Sequence, residues 1–285
     1  MEKRDWTVFP TLQYYNIPQY LFGNQICSGK LLLLTFDLRF MIIRPKIFKD
    51  SPIIAAQSTR LGGVSPLPYS SMNTGMSVND SKENVQKNRK LFFGELGIEL
   101  HQLVIGKQIH GNNVFIAKEP VVTEGFDAII TNKTNVFLIV SIADCTPILI
   151  YDTKQKAVAA IHAGWRGTVA EIVKHTLHKM QQEYGTSGTD CLAYIGACIS
   201  YNSFEVDEEV AKQFTTKFKR FDEQKQKWLV DLKSVNKQQL LDFGVKNDNI
   251  ELSPFCTVKD ENLFFSHRRD KGISGRMMAV IGIKD

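Results

Sequence analysis

Residues Val136 to Gly167 read VFLIVSIADCTPILIYDTKQKAVAAIHAGWRG. Three apolar runs of strand length stand in it: Val136–Ile142, Pro147–Tyr151 and Ala157–Ile161. A strand with one wet face would alternate polar and apolar residues, and these do not. They fit strands covered on both faces. Polar residues break the apolar block at few places: Asp144, Cys145 and His162 fall where strands end. Metal ligands, nucleophiles and general bases are placed this way, on rigid elements with the reactive atoms at the rim. A glycine-flanked Trp165-Arg166 then opens a helix, whose first-turn N–H groups and positive dipole end can receive an anion.

Upstream, Ile53–Thr59 reads as a strand. It runs into a loop rich in Gly, Pro and Ser that carries Arg60, Gly62, Gly63, Ser65, Tyr69 and Asn73. Long loops in compact domains are often functional. Arg60 is either a solvated surface residue or an arginine held by a glycine loop to meet a phosphate or carboxylate. Asp80–Gly97 reads as a helix with Val85, Asn88, Leu91, Phe92 and Leu96 on one face. Leu103–Ile109 is a strand ending in Gln108-Ile109-His110-Gly111, followed by strands at Asn112–Ala117 and Phe126–Thr131, the last with Asp127 at its start.

Downstream, Thr168–Tyr184 is an amphipathic helix striped by Val169, Ile172, Val173, Leu177, Met180 and Tyr184. His175 and His178 lie off that stripe and read as solvated. Leu192–Gly196 is a strand that ends near Cys198, read as a small buried residue. Phe204–Phe218 and Leu232–Phe243 are expected to be helices, with Lys219–Lys227 a solvated loop between them. Ile250–Leu252 and Met278–Ile283 are late strands. Before the last lies a basic loop, His267-Arg268-Arg269 through Gly275-Arg276, which is either an anion site or a wet hairpin.

The chain has 285 residues, 43% of them apolar, ample for a real core. Its net charge of +5, from 35 basic and 30 acidic residues, is too mild for a dedicated nucleic-acid binder. The five cysteines are odd in number and show no paired short spacing, which suits free thiols in a reducing compartment. Lys3 and Arg4 are not followed by a signal-peptide core. The apolar run Leu31–Ile43 is broken by Asp37 and Arg39 and is too short to span a bilayer. These features predict a cytoplasmic protein with no membrane partner. Residues 1–49 show no clean period and are read as an N-terminal extension or peripheral strands, with Met41 as an alternative start.

His110, Cys145 and His162 together offer two imidazoles and a thiolate. That set suits zinc or copper far better than magnesium or calcium, and three protein ligands leave a fourth position open. The spacing matches neither a zinc finger nor HExxH, and it lacks the HxE…PCxxC pattern of zinc deaminases. A metal-free reading stands beside it: Cys145 as a thiolate nucleophile with a histidine as base.

TRLGGVS with Asn73 downstream, QIHG, SIADCTPIL, AAIHAGWRGT, IGACI with FEV, DLKSVNKQQL and RRD…GRMMAVIG occur in this order. Together they resemble the purine nucleoside phosphorylase-like family, formerly called multi-copper polyphenol oxidases or laccase-domain proteins. The resemblance spans about Ile53 to Ile283. Departures are Met72-Asn73 for Leu-Asn, Gly196-Ala197 for Gly-Pro, and His267 where an aromatic is common.

The resemblance implies a single α/β domain, residues 50–285, of mixed β-sheets covered by helices and related to Cys-His toxin hydrolases. It implies zinc on His110, Cys145 and His162, with copper as the alternative metal. It implies phosphorolysis of adenosine, inosine and S-methyl-5'-thioadenosine, and deamination of adenosine to inosine. Purine nucleosides and phosphate are the expected partners; oligomeric state is left open. Asp144 is the candidate proton shuttle. Arg60 is placed with it as a catalytic residue, and Arg60, Asn73, Arg166 and Arg276 as the phosphate and substrate ligands. Two other activities compete: a metal-independent Cys-His amidase acting on cell-wall precursors, and a copper polyphenol oxidase, for which six histidines are few.

Overall fold

A computed structural model describes residues 42–285. The first half of the chain forms β1 (Ile42–Ile43), β2 (Ile53–Ser58), helix α1 (Lys82–Glu95), β3 (Leu103–Lys107), β4 (Val114–Ile116), β5 (Val122–Glu124), β6 (Ala128–Thr131) and β7 (Phe137–Ile142). Next come β8 (Thr146–Asp152), β9 (Ala157–Ala163), α2 (Trp165–Val169), α3 (Ile172–Tyr184) and β10 (Cys191–Ile195). The remainder is β11 (Glu205–Val206), α4 (Glu208–Ala211), β12 (Lys219–Asp222), β13 (Lys227–Val230), α5 (Leu232–Asp242), β14 (Ile250–Leu252) and β15 (Met277–Ile283).

Two six-stranded mixed sheets result, in the orders β1-β2-β15-β7-β3-β5 and β14-β10-β8-β9-β6-β4. Their facing sides share one core. Leu138, Val140 and Ile281 of the first sheet meet Leu149, Val158 and Ala160 of the second. The outer face of the first sheet packs Ile139 and Val280 against Phe92 and Phe93 of α1. The outer face of the second packs Ile148, Ile150 and Ile161 against Val173, Leu177 and Met180 of α3 and Leu240 of α5. Both sheets are thus covered on both sides, which is why their central strands read as unbroken apolar runs. The fold is mixed α/β, as the resemblance implied.

Part of the expected extension belongs to this body. Ile42 and Ile43 pair with Ser58 and Gln57 of β2, and Phe48 joins the shared core. The expectations for residues 1–41, including Met41 as a start, lie outside the described residues. Among the described residues no helix is long and apolar enough to cross a membrane.

Four local expectations are corrected. The helix predicted over Thr168–Tyr184 breaks at Ala170-Glu171, where Glu171 takes a left-handed φ of 55°. Gln239 bridges the break: its Nε2 donates to the Thr168 carbonyl, and its Oε1 accepts the Val173 and Lys174 N–H groups. Asn112 Nδ2 donates to the Ala170 carbonyl. Side chains thereby replace the hydrogen bonds that the broken helix gives up. Phe204–Phe218 is not a helix; it supplies β11 and the single turn of α4. Lys219–Lys227 is not a plain loop but the hairpin of β12 and β13, which with β11 forms a third sheet. In α1, Leu91 faces solvent, and Phe93 takes its expected place in the core.

Candidate metal centre

The β8–β9 hairpin pairs Thr146 with Ala163 and Pro147 with His162. Cys145, one residue before β8, is thereby set beside His162. Side chains alternate along β9, so His162 shares the inward face of Val158 and Ala160, between the sheets. Its side chain is 3% exposed. His110 arrives from the other sheet, on the turn after β3, with a left-handed φ of 61°. That turn is tied to β7 by Gln108, which donates to the Ser141 carbonyl and accepts the Ser141 N–H. The potential ligand atoms of His110, Cys145 and His162 lie within 4.8 Å of one another. His110 is exposed and Cys145 half-buried, so one side of the cluster is open.

Asp127 holds this arrangement together. Its Oδ1 accepts from His162 Nδ1 at 2.8 Å and from the His110 N–H at 2.9 Å. Its Oδ2 accepts the N–H groups of Ile109 at 3.1 Å and Gly111 at 2.8 Å. One carboxylate thus sets the tautomer of one histidine and the backbone of the other. With Nδ1 engaged, His162 turns Nε2 toward the thiol, the arrangement found behind metal-binding histidines. Sequence reasoning noted Asp127 only as the start of a strand. Its one signal was a carboxylate opening the apolar run Ala128–Ile130, as Asp144 closes the run before Cys145.

Electrostatics agree with the geometry. Burial alone would raise the Cys145 thiol. The charge of His162 and hydrogen bonds with His110 and His162 outweigh it and bring the thiol down to about 6. Burial would lower His162, but the Cys145 charge and the bond to Asp127 lift it to about 9. Asp127 is itself held below its usual range: burial opposes this, and the His162 and Gly111 hydrogen bonds prevail.

Backbone approaches closely at two glycines, and at Gly167 a side chain is excluded. A Cβ on Gly164 would stand 3.1 Å from a His110 ring carbon and 3.2 Å from Cys145 Sγ. A Cβ on Gly167 would stand 2.7 Å from the Gly111 carbonyl oxygen. The HAGWRG motif is therefore a close approach of backbone to the cluster.

The other predicted residues fall into different roles. Asp144 is buried with a left-handed φ of 88°, and its two oxygens accept from Thr257 Oγ1 at 2.6 Å and the Arg268 N–H at 2.7 Å. It ties the basic loop to the cluster through these two bonds. Arg60 gives Nε and Nη2 to the Ser70 carbonyl and Nη1 to the Glu261 carbonyl, with its guanidinium 4.8 Å from the Phe265 ring centre. These bonds hold it against its own loop. Asn73 is fully buried; Nδ2 donates to Asp80, and Oδ1 accepts the N–H groups of Gly75 and Arg276.

Arg166 is exposed and lies over the Trp165 ring at 4.4 Å, on a helix of only five residues. Arg269 spends its guanidinium on Asp270 and three backbone carbonyls. His175 and His178 are exposed, the latter against Phe243, and Cys198 is buried with its thiol pushed up to about 11 by burial.

Comparison with known proteins places the chain in a family. A family model described as multi-copper polyphenol oxidoreductase laccase matches residues 54–284. The chain is similar to a purine nucleoside phosphorylase of Bacteroides thetaiotaomicron, 40% identical over 244 residues, covering 79% of this chain and 90% of that protein. It is also similar to purine nucleoside phosphorylase YlmD of Bacillus subtilis, 34% identical over 251 residues, covering 83% and 90%. Among solved structures, a hypothetical protein YfiH of Bacillus licheniformis superposes with a TM-score of 0.81 at 31% identity, over 86% of this chain and 97% of that one. YlmD of Geobacillus stearothermophilus gives 0.79 at 31% identity, over 85% and 94%. With the match running from β2 to the end of β15 and taking in His110, Cys145 and His162, the chain belongs to the multi-copper polyphenol oxidoreductase laccase family.

Proposed function

We propose that this protein is a purine nucleoside phosphorylase whose His110, Cys145 and His162 hold a zinc ion, and that it also deaminates adenosine. Its substrates are adenosine, inosine and S-methyl-5'-thioadenosine, with phosphate as co-substrate. The proposed catalytic unit is residues 50–285. The observation that carries the reading is the convergence of two imidazoles and a thiolate within 4.8 Å, open on one side. Relatives that carry the phosphorylase name support the reaction class.

The donor set fits a borderline-soft divalent ion. When bound, zinc supplies Lewis-acid polarisation and a water ligand of lowered pKa. The chain's own residues prepare the site for it. Asp127 engages Nδ1 of His162, so that Nε2 is the nitrogen that would give up its proton and ligate. The two histidines hold Cys145 as a thiolate near neutral pH. The covered sheets exclude water from one side, while the exposed His110 edge admits the substrate. Copper fits the same donors, but among the described residues only one His-Cys-His cluster exists, where a multi-copper oxidase needs several.

A second reading has an observation of its own. Without a metal, Cys145, His162 and Asp127 form a thiolate, an imidazolium and an orienting carboxylate, the constellation of a Cys-His hydrolase such as an amidase. Product analysis separates the two. The protein is incubated with inosine or adenosine, with and without phosphate and chelator. The proposal expects free base and ribose-1-phosphate only with phosphate, and inosine from adenosine, with both activities lost on chelation. Failure to turn over any purine nucleoside, with chelator-resistant amide hydrolysis that needs Cys145, would replace it.

A further inference from the structure

We propose that Arg276 is the oxyanion-binding residue of the site, with Asn73 as the residue that positions it. The inference rests on the phosphorolytic reading for the identity of the anion, inorganic phosphate. Strand register sets Arg276 beside the cluster. Met277 pairs with Ile142, so Arg276 lies across from Ala143, next to Asp144 and Cys145. Its stem is confined by Gly75, where an added Cβ would stand 2.6 Å from Arg276 Cγ. Its backbone is held on both sides. The N–H donates to Asn73 Oδ1 at 2.8 Å, and the carbonyl accepts from the Thr74 N–H and Oγ1.

The guanidinium is partly used. Nη1 donates to the Ser274 and Gly275 carbonyls, whereas Nε and Nη2 have no hydrogen-bond partner among the described residues. Nε and Nη2 form the edge that binds an oxyanion with two parallel bonds. Arg60 and Arg269 have that edge occupied, by the Ser70 carbonyl and by Asp270. Arg166 has no partner on it among the described residues but is exposed and stacked on Trp165. Half-burial makes the unspent fork of Arg276 the stronger anion site, because a charge-assisted bond gains strength away from water.

Asn73 acts through Arg276. It is fully buried and its amide is engaged by Asp80, Gly75 and Arg276, so it places the arginine backbone without meeting substrate.

The test titrates inorganic phosphate into zinc-loaded protein and follows the melting temperature, then measures the phosphate KM with inosine. Wild type is expected to show a saturable rise. Arg276→Lys keeps the charge and stem but loses the fork, and should weaken phosphate binding by roughly 10- to 100-fold, the loss of a charge-assisted bond. Arg276→Gln should abolish it, and Arg220→Gln, exposed on β12, should retain it. Asn73→Ala should raise the phosphate KM with little change in kcat. Zinc content equal to wild type in each variant separates loss of the fork from collapse of the centre. Phosphate binding unchanged in Arg276→Lys and Arg276→Gln, or no binding by wild type, would overturn the inference. Phosphate binding through Arg276 without turnover of any purine nucleoside would defeat the phosphorolytic reading and leave the anion site standing.

Discussion

Asp127 couples two histidines that come from different sheets, since one carboxylate meets both His162 Nδ1 and the backbone of the His110 turn. Asp127→Asn would offer an N–H where the turn and the imidazole need an acceptor. We expect it to lower metal affinity by about 10- to 100-fold, the usual cost of losing such a partner. Competition with a chromogenic chelator reads this directly, and an unchanged affinity would remove Asp127 from its assigned role. Cys145 gives a second prediction. Its folded value of about 6 means that, in metal-stripped protein, the thiolate is present above that pH and lost as pH falls through it. Alkylation by iodoacetamide should therefore fall with a midpoint near there. Cys191 and Cys198, buried and pushed up to about 12 and about 11, should stay unreactive at neutral pH. An alkylation midpoint above 8 would mean that the histidines do not activate the thiol.

At the scale of elements, the site is the end of the β8–β9 hairpin closed by the backbone of Gly164. Gly164→Ala should leave the fold intact but push His110 and Cys145 apart, seen as lost metal with little change in melting temperature. The loop clamp makes the opposite prediction. Arg60→Ala removes three hydrogen bonds to carbonyls and the contact with Phe265, and should destabilise by about 2–3 kcal/mol in urea unfolding while sparing metal content. These two contrasts show what was legible in the sequence. The buried strands announced themselves because apolar runs report burial on both faces, and the ligands stood out as polar residues at their ends. Asp127 did not, because its partners lie 35 and 17 residues away and sequence spacing carries no trace of that contact. The same non-locality hid the third sheet: β11 pairs with β13 across more than twenty residues. Arg60 illustrates a different limit. Its glycine-rich loop suits an anion ligand and a self-clamping arginine equally well, and the Ser70 and Glu261 carbonyls that its guanidinium meets leave no trace in the sequence.

For the whole molecule, the cluster is a junction. His110 follows β3 of the first sheet, Cys145 links β7 of the first to β8 of the second, and His162 lies in β9 of the second. A metal held there binds only the folded chain and cross-links the sheets. Its removal should lower the melting temperature in a way that added zinc reverses, through linkage of binding to folding. The central claim is that these three side chains hold one metal ion. Elemental analysis of wild type and of Cys145→Ser, purified without a metal-affinity tag, tests it most directly. About one zinc per wild-type chain, and almost none in the variant, is the predicted result for a three-ligand site. Metal-free wild type, or equal metal in both proteins, would contradict it.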